Sequence, residues 1–107
     1  MRPKHPEIAE KAFDFTAIDH RFDEFATDHC NGHSPAQLLA DVWGRIVFDH
    51  DLASPVQNPG TPVLWEISTE HLVAFYLVTD SVVSITWLLS KQTGQYYQSE
   101  RLPFLLG

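Results

Sequence analysis

Histidines and carboxylates concentrate in the first half of this 107-residue chain, and they are the first candidates for chemistry. His20 precedes Glu24 by four residues, so on a helix the two side chains share one face, and a carboxylate could orient the imidazole as a general base. The bland alternative is a solvated helix face with one i,i+4 contact, which the sequence favours. His71, beside Glu70 at the start of an apolar run, is a further polar candidate whose role depends on what packs against it.

A transition-metal site would have to use His29, Cys30 and His33 with one carboxylate, because zinc prefers imidazole and thiolate ligands. The spacing argues against such a site, since Asn31-Gly32 should end the helix that would carry the two histidines. The same helix end argues against Cys30 as a nucleophile, because the C-terminal end of a helix dipole disfavours a thiolate. We therefore predict no bound metal.

The five glycines match neither a phosphate-binding loop nor a dinucleotide-binding motif, and neither G-x-S-x-G nor H-E-x-x-H occurs. An enzyme would therefore have to depend on scattered polar residues. We predict no cofactor and no catalytic residue, and the sequence leans away from an enzyme without deciding the question.

Aromatic side chains are numerous, with three Trp, three Tyr and seven Phe. Two hypotheses account for them. Either a second copy of the chain covers one face of the sheet, with Phe13 and the C-terminal Phe104, Leu105 and Leu106 at the interface. Or the rings line a ligand pocket between the helices and the sheet. The residues of that pocket would be His20, Glu24, His71, Trp43 and Tyr76.

The elements that must position these residues follow from hydrophobic periodicity. Apolar residues at helical spacing predict a first helix over about 6–30, which Asn31-Gly32 would end. Ser34-Pro35 starts a second helix over about 35–49. Alternation then predicts strands at 63–68, 72–78 and 82–89, with a short fourth strand near 96–98. The predicted fold is α+β, a two-helix hairpin packed on a three- to four-stranded antiparallel meander (ααβββ), in a single domain over 1–107.

Charge and cysteine content restrict the partners. Fourteen acidic residues against seven Lys plus Arg give a net charge of −7, which argues against nucleic acid and suits solubility or a basic partner. A single cysteine fits a reducing compartment. We expect no secretory signal, and the most apolar run, Leu72 to Val78, is too short to span a membrane. A cytoplasmic protein is expected.

The stretch from Leu64 to Gln95, with Leu64-Trp65-Glu66-Ile67, Phe75-Tyr76 and Leu88 to Thr93, resembles the strand meander of RelE-like ribonuclease toxins. The resemblance implies two helices before three strands. Those toxins hold RNA with arginines on the meander, and this meander has none, so an RNA-cleaving role is not implied.

The leading hypothesis is therefore a small acidic, non-enzymatic interaction protein, acting as a homodimer and neutralising a basic partner. The alternative is a small-molecule-binding protein or enzyme, with its pocket between the helices and the sheet.

Overall fold

The computed structural model describes residues 4–15, 18, 20–56 and 63–98, which form a mixed six-stranded sheet with two helices on one face. The elements in chain order are β1 (Ala12–Asp14), α1 (Phe22–His29), α2 (Pro35–Asp49), a 3-10 turn (His50–Leu52), β2 (Ser54–Pro55), β3 (Leu64–Ser68), β4 (Leu72–Val78), β5 (Val82–Ser90) and β6 (Tyr96–Gln98). None of the helices in these ranges is long and apolar enough to cross a membrane.

The sheet confirms the α+β class and corrects its topology. The strand order is β1-β5-β4-β3-β2, with β6 also paired to β5. Strands β3, β4 and β5 form the expected antiparallel meander. Strand β1 runs parallel to β5, with Ala12 opposite Val82, and β6 runs antiparallel to it, with Tyr96 opposite Leu89. The two short strands thus occupy the same edge of β5, one after the other, so the antiparallel ααβββ prediction is wrong in detail.

The first helix is also shorter than predicted. Helical structure covers only Phe22–His29, and the predicted range 6–30 contains strand β1 instead. Glu10 has φ 65°, a left-handed conformation that interrupts a helix, and Ala12 N–H donates to Ser81 O at 3.0 Å. Pairing with the open edge of β5 therefore outweighs local helical periodicity, a tertiary effect that a single-sequence pattern does not contain.

The second helix matches its prediction. The Ser34 side chain accepts a hydrogen bond from Gln37 N–H at 3.4 Å, and Pro35 occupies the first turn. The helix buries Leu38, Val42 and Ile46 against the sheet. Trp43 is 47% exposed, because it lies about 100° around the helix from Val42.

Tyr76, in the middle of β4, is the largest fully buried side chain among the described residues and lies on the core-facing side of the sheet. A β-bulge lies opposite: Phe75 pairs with Trp87 and Tyr76 with Ile85, which leaves Thr86 as the extra residue of β5. Thr86 Oγ1–H donates to Phe75 O at 2.8 Å, so the bulge has its own hydrogen bond. The register places Phe75 and Trp87 on the second face of the sheet, with ring centroids 5.4 Å apart.

Candidate functional site

A cleft lies between the N-terminal segment, residues 4–13, and the C-terminal half of α2. Its volume is about 700 Å³, within the range of small-molecule sites. We call it the N-terminal cleft. Its lining combines rings, imidazoles and charged residues, among them Lys4, His5, Glu7, Glu10, Lys11, Phe13, Trp43, Val47 and His50.

The N-terminal segment lies over α2 because it is anchored at both ends. Ile8 is buried at 9% exposure, and Lys11 N–H donates to Ile8 O at 3.2 Å, which closes a tight turn around Glu10. After this turn, strand β1 joins the edge of β5. Lys11 Nζ adds two hydrogen bonds, to Thr79 O at 2.7 Å and to Asp80 O at 2.9 Å. The turn and strand β1 therefore hold one wall of the cleft against the sheet.

His5 forms the polar contact at the inner end of the segment. Its Nδ1 lies 2.7 Å from Pro6 O, and its Nε2 lies 2.7 Å from the Tyr76 hydroxyl. A carbonyl oxygen only accepts, so Nδ1 carries the proton in the neutral ring and Nε2 accepts from the Tyr76 O–H. The imidazole also packs against Trp65 and His50, with ring centroids 4.6 and 4.9 Å away.

The surroundings of this pair keep both groups neutral. Burial lowers the pKa of His5 from its usual value; the hydrogen bond to Pro6 O opposes this in part, and the neighbouring His50 makes a smaller lowering contribution. Burial raises the pKa of Tyr76, whose side chain has no exposed surface. A neutral imidazole and a protonated phenol form a stable hydrogen bond, and neither gives or takes a proton readily at neutral pH.

His50 presents a different polar atom to the cleft. Its Nδ1 lies 3.2 Å from Ile46 O, one helical turn back, so in the neutral ring Nδ1–H is the donor. Nε2 of the same ring is then an acceptor on a half-buried side chain that lines the cleft. The position of His50 just after α2 follows from the helix ending at Asp49.

The aromatic wall consists of Phe13 and Trp43. Their rings meet edge to face, with centroids 5.8 Å apart and planes at 75°. Phe13 also stacks on Phe15 at 6.3 Å. Because Trp43 keeps 47% of its surface exposed, much of the indole remains accessible to a bound molecule.

The residues predicted as a pocket are only partly brought together. Trp43 lines the N-terminal cleft, and Tyr76 lies beneath it as the partner of His5. His20 and Glu24 are exposed, in the turn before α1 and on α1 itself, and neither lines the cleft. His71 lies elsewhere, with its ring stacked on His33 at 4.1 Å and its Nε2 3.8 Å from Glu70.

The histidine–cysteine region carries a smaller opening of about 210 Å³, lined in part by Cys30 and His71. Cys30 is buried at 2% exposure, and burial raises the pKa of its thiol despite a weaker opposing effect of Ser90. A buried, protonated thiol is a poor nucleophile. Within residues 4–15, 18, 20–56 and 63–98, no group of three His, Cys, Asp or Glu side chains has the geometry for a metal ion.

The predicted interface residues are placed as follows. Phe13 lies in β1, half-buried against Trp43, rather than on a helix. Phe104, Leu105 and Leu106 lie outside the described residues. On the second face of the sheet, Tyr96 is 54% exposed beside Phe75, with ring centroids 6.2 Å apart.

Sequence reasoning did not identify His5 or His50 as site residues. His5 precedes Tyr76 by 71 positions, and no local pattern indicates that the two side chains meet. The signal available was indirect: the run His5-Pro6 predicts extended backbone at residue 5, which is unsuited to the interior of a helix.

No protein-family model, no curated protein and no solved structure matches this chain.

Proposed function

We propose that this chain is a small acidic binding protein whose ligand site is the N-terminal cleft. The observation that carries the proposal is the composition of the cleft: an accessible indole at Trp43, flanked by Phe13 and by the acceptor nitrogen of His50, around about 700 Å³. An apolar wall with a few fixed polar groups is the usual composition of small-molecule sites.

Binding without catalysis is supported by the chemistry of the polar groups. Both nitrogens of His5 are occupied, by Pro6 O and by the Tyr76 hydroxyl. Burial raises the pKa of the Tyr76 phenol, so it is a hydrogen-bond donor and a poor source of protons. We therefore favour a binding role over an enzymatic one. The buried thiol of Cys30 suits a reducing compartment, and we propose a cytoplasmic location.

A fragment screen by ¹H–¹⁵N NMR tests the proposal on the full chain. We expect ligands with an aromatic ring to shift the Trp43 indole N–H and the amides of residues 7–13. Trp43→Ala should abolish these shifts, because it removes most of the accessible apolar wall. Phe48→Ala is the matched control: Phe48 is 79% exposed on the same helix and does not line the cleft. The proposal would be contradicted if fragments still bound to the Trp43→Ala variant, or if no fragment shifted these signals in the unmodified chain.

Self-association is a second candidate, favoured by Tyr96. Its ring is 54% exposed and extends the aromatic surface of Phe75 and Trp87 on the second face of the sheet. A two-fold homodimer would bring two such faces together and bury them. Sedimentation at high micromolar concentration should show a dimer that Tyr96→Lys disrupts and Phe48→Lys does not. A monomer under these conditions would exclude the homodimer.

A further inference from the structure

We propose that the N-terminal cleft selects organic cations, and that its ligand combines an aromatic or aliphatic body with a protonated amine. The proposal rests on the proposed function and specifies the ligand class of the same site. It commits to a small organic amine as the ligand.

The charged groups of the cleft that are able to contact a ligand are mostly carboxylates. Glu7 and Glu10 are exposed and, in the part of the chain that the structure describes, form no hydrogen bond or ion pair. The ammonium of Lys11 is already held by two carbonyl oxygens of the β4–β5 turn. Lys4 is then the one lining cation without a bonded partner among the described residues. Lys11 keeps its positive charge, but its ammonium is tied to the turn, so the charged groups able to contact a ligand are Glu7, Glu10 and Lys4. Two of these three are carboxylates, which accept from an ammonium N–H.

The imidazoles of the cleft act in the same direction. His5 and His50 both direct Nδ1 toward a carbonyl oxygen, so in the neutral form of each ring Nε2 is the acceptor. Nε2 of His5 is used by Tyr76, whereas Nε2 of His50 has no hydrogen-bond partner among the described residues and can accept from an ammonium N–H.

The aromatic wall adds a third contribution. A cation within about 6 Å of an indole face is attracted by the ring quadrupole, and tryptophan is the strongest of the aromatic side chains in this respect. Trp43 is about half exposed, and Phe13 meets it edge-on, so an open area of indole faces the cleft. The net charge of −7 extends the attraction beyond the cleft, because it raises the local concentration of cations.

Three probes with one aromatic body test the proposal: 2-phenylethylamine, which is a cation at pH 7, neutral 2-phenylethanol, and anionic 3-phenylpropionate. Dissociation constants are measured from the Trp43 indole N–H shift at low salt. We expect the cation to bind about fivefold more tightly than the alcohol, and the carboxylate to bind weakest. Added salt should reduce the advantage of the cation, because it screens exposed charges.

Charge-neutralising variants locate the effect. Glu7→Gln with Glu10→Gln should remove most of the advantage of the cation over the alcohol. Glu24→Gln with Asp28→Asn is the matched control, since it changes the net charge equally at exposed positions of α1. In the control, the preference for the cation should persist.

The outcomes separate the two proposals. If all three probes bind equally, or if the carboxylate binds most tightly, the cleft is a ligand site but the cation inference is wrong. The inference is also wrong if the two double variants lose the preference equally. If no probe shifts the Trp43 signal at millimolar concentration, the proposed function itself fails.

Discussion

Two pairs of histidine rings are in contact in this molecule, and the pairs differ in burial and in hydrogen bonding. The rings of His33 and His71 are the closer pair, stacked at 4.1 Å, yet His33 is exposed and the neighbouring Glu70 is 84% exposed. The rings of His5 and His50 are 4.9 Å apart, and His5 is bonded to a fully buried tyrosine. The distance between two rings therefore does not indicate how much the contact contributes to the free energy of unfolding. That contribution depends on desolvation and on the hydrogen-bond partner, because water competes for polar groups at the surface.

The largest effect is expected from Tyr76→Phe, which removes the hydroxyl that donates to His5 Nε2 and leaves that half-buried nitrogen without this hydrogen bond. We expect the free energy of unfolding to fall by about 1–3 kcal/mol, measured by urea denaturation. Tyr96→Phe removes a hydroxyl from an exposed ring and should change stability little. If the two variants lowered the free energy of unfolding equally, the buried hydroxyl would contribute no more to stability than the exposed one, and the prediction would be wrong.

The next effect is a pH dependence that depends on His5. Its pKa in the folded protein lies below the ordinary value of 6.5, so the unfolded chain binds the proton more readily. Stability is therefore fully present above about pH 6.5 and decreases as the pH falls below it toward the folded pKa. His5→Gln should flatten this slope in denaturation curves between about pH 7.5 and 5. The slope should persist in His33→Gln, and a slope that His5→Gln leaves unchanged would contradict the assignment.

A smaller effect concerns the turn that brings the N-terminal segment back to the sheet. Glu10 adopts φ 65°, which is unfavourable for a residue with a Cβ atom. Glu10→Gly should raise the free energy of unfolding by about 0.5 kcal/mol, because the relief of strain exceeds the entropy cost of glycine. Glu7→Gly, at a position without positive φ, should not stabilise the fold. Destabilisation by Glu10→Gly would mean that this side chain has a structural role in the fold.

The smallest effect is expected at the pair formed by His33 and His71. His33→Asn and His71→Asn should each change the free energy of unfolding by less than about 0.5 kcal/mol. A loss comparable to that of Tyr76→Phe would show that the stacked pair contributes as much as the buried contact, and would reverse the comparison.

Local signals predicted the second half of the fold well. Ser34-Pro35 marks the start of α2, and alternating apolar residues mark β3, β4 and β5, because these elements are specified by neighbours in the chain. The three residues of β1 carry no comparable signal. Their conformation is fixed by β5, which follows much later in the sequence, and the local apolar spacing imitates a helix.

The candidate site was harder to predict for the same reason. Aromatic content indicated Trp43 and Tyr76, and the structure places both at the N-terminal cleft or beneath it. The polar partners expected for them, His20, Glu24 and His71, lie elsewhere. Their place is taken by His5 and His50, whose neighbours are set by tertiary packing rather than by spacing.

The shared edge of β5 has a consequence for the order of folding. The meander and α2 need contacts only between segments close in sequence, whereas β1 pairs Ala12 with Val82, about 70 residues away. Closing so long a loop is slow, because its entropy must be lost before the contact forms. We therefore expect β1 to dock after β3, β4 and β5 have assembled. The N-terminal segment, which forms one wall of the cleft, would then be the last part to fold. Ligand binding would therefore detect the fully folded chain and not a partly structured intermediate.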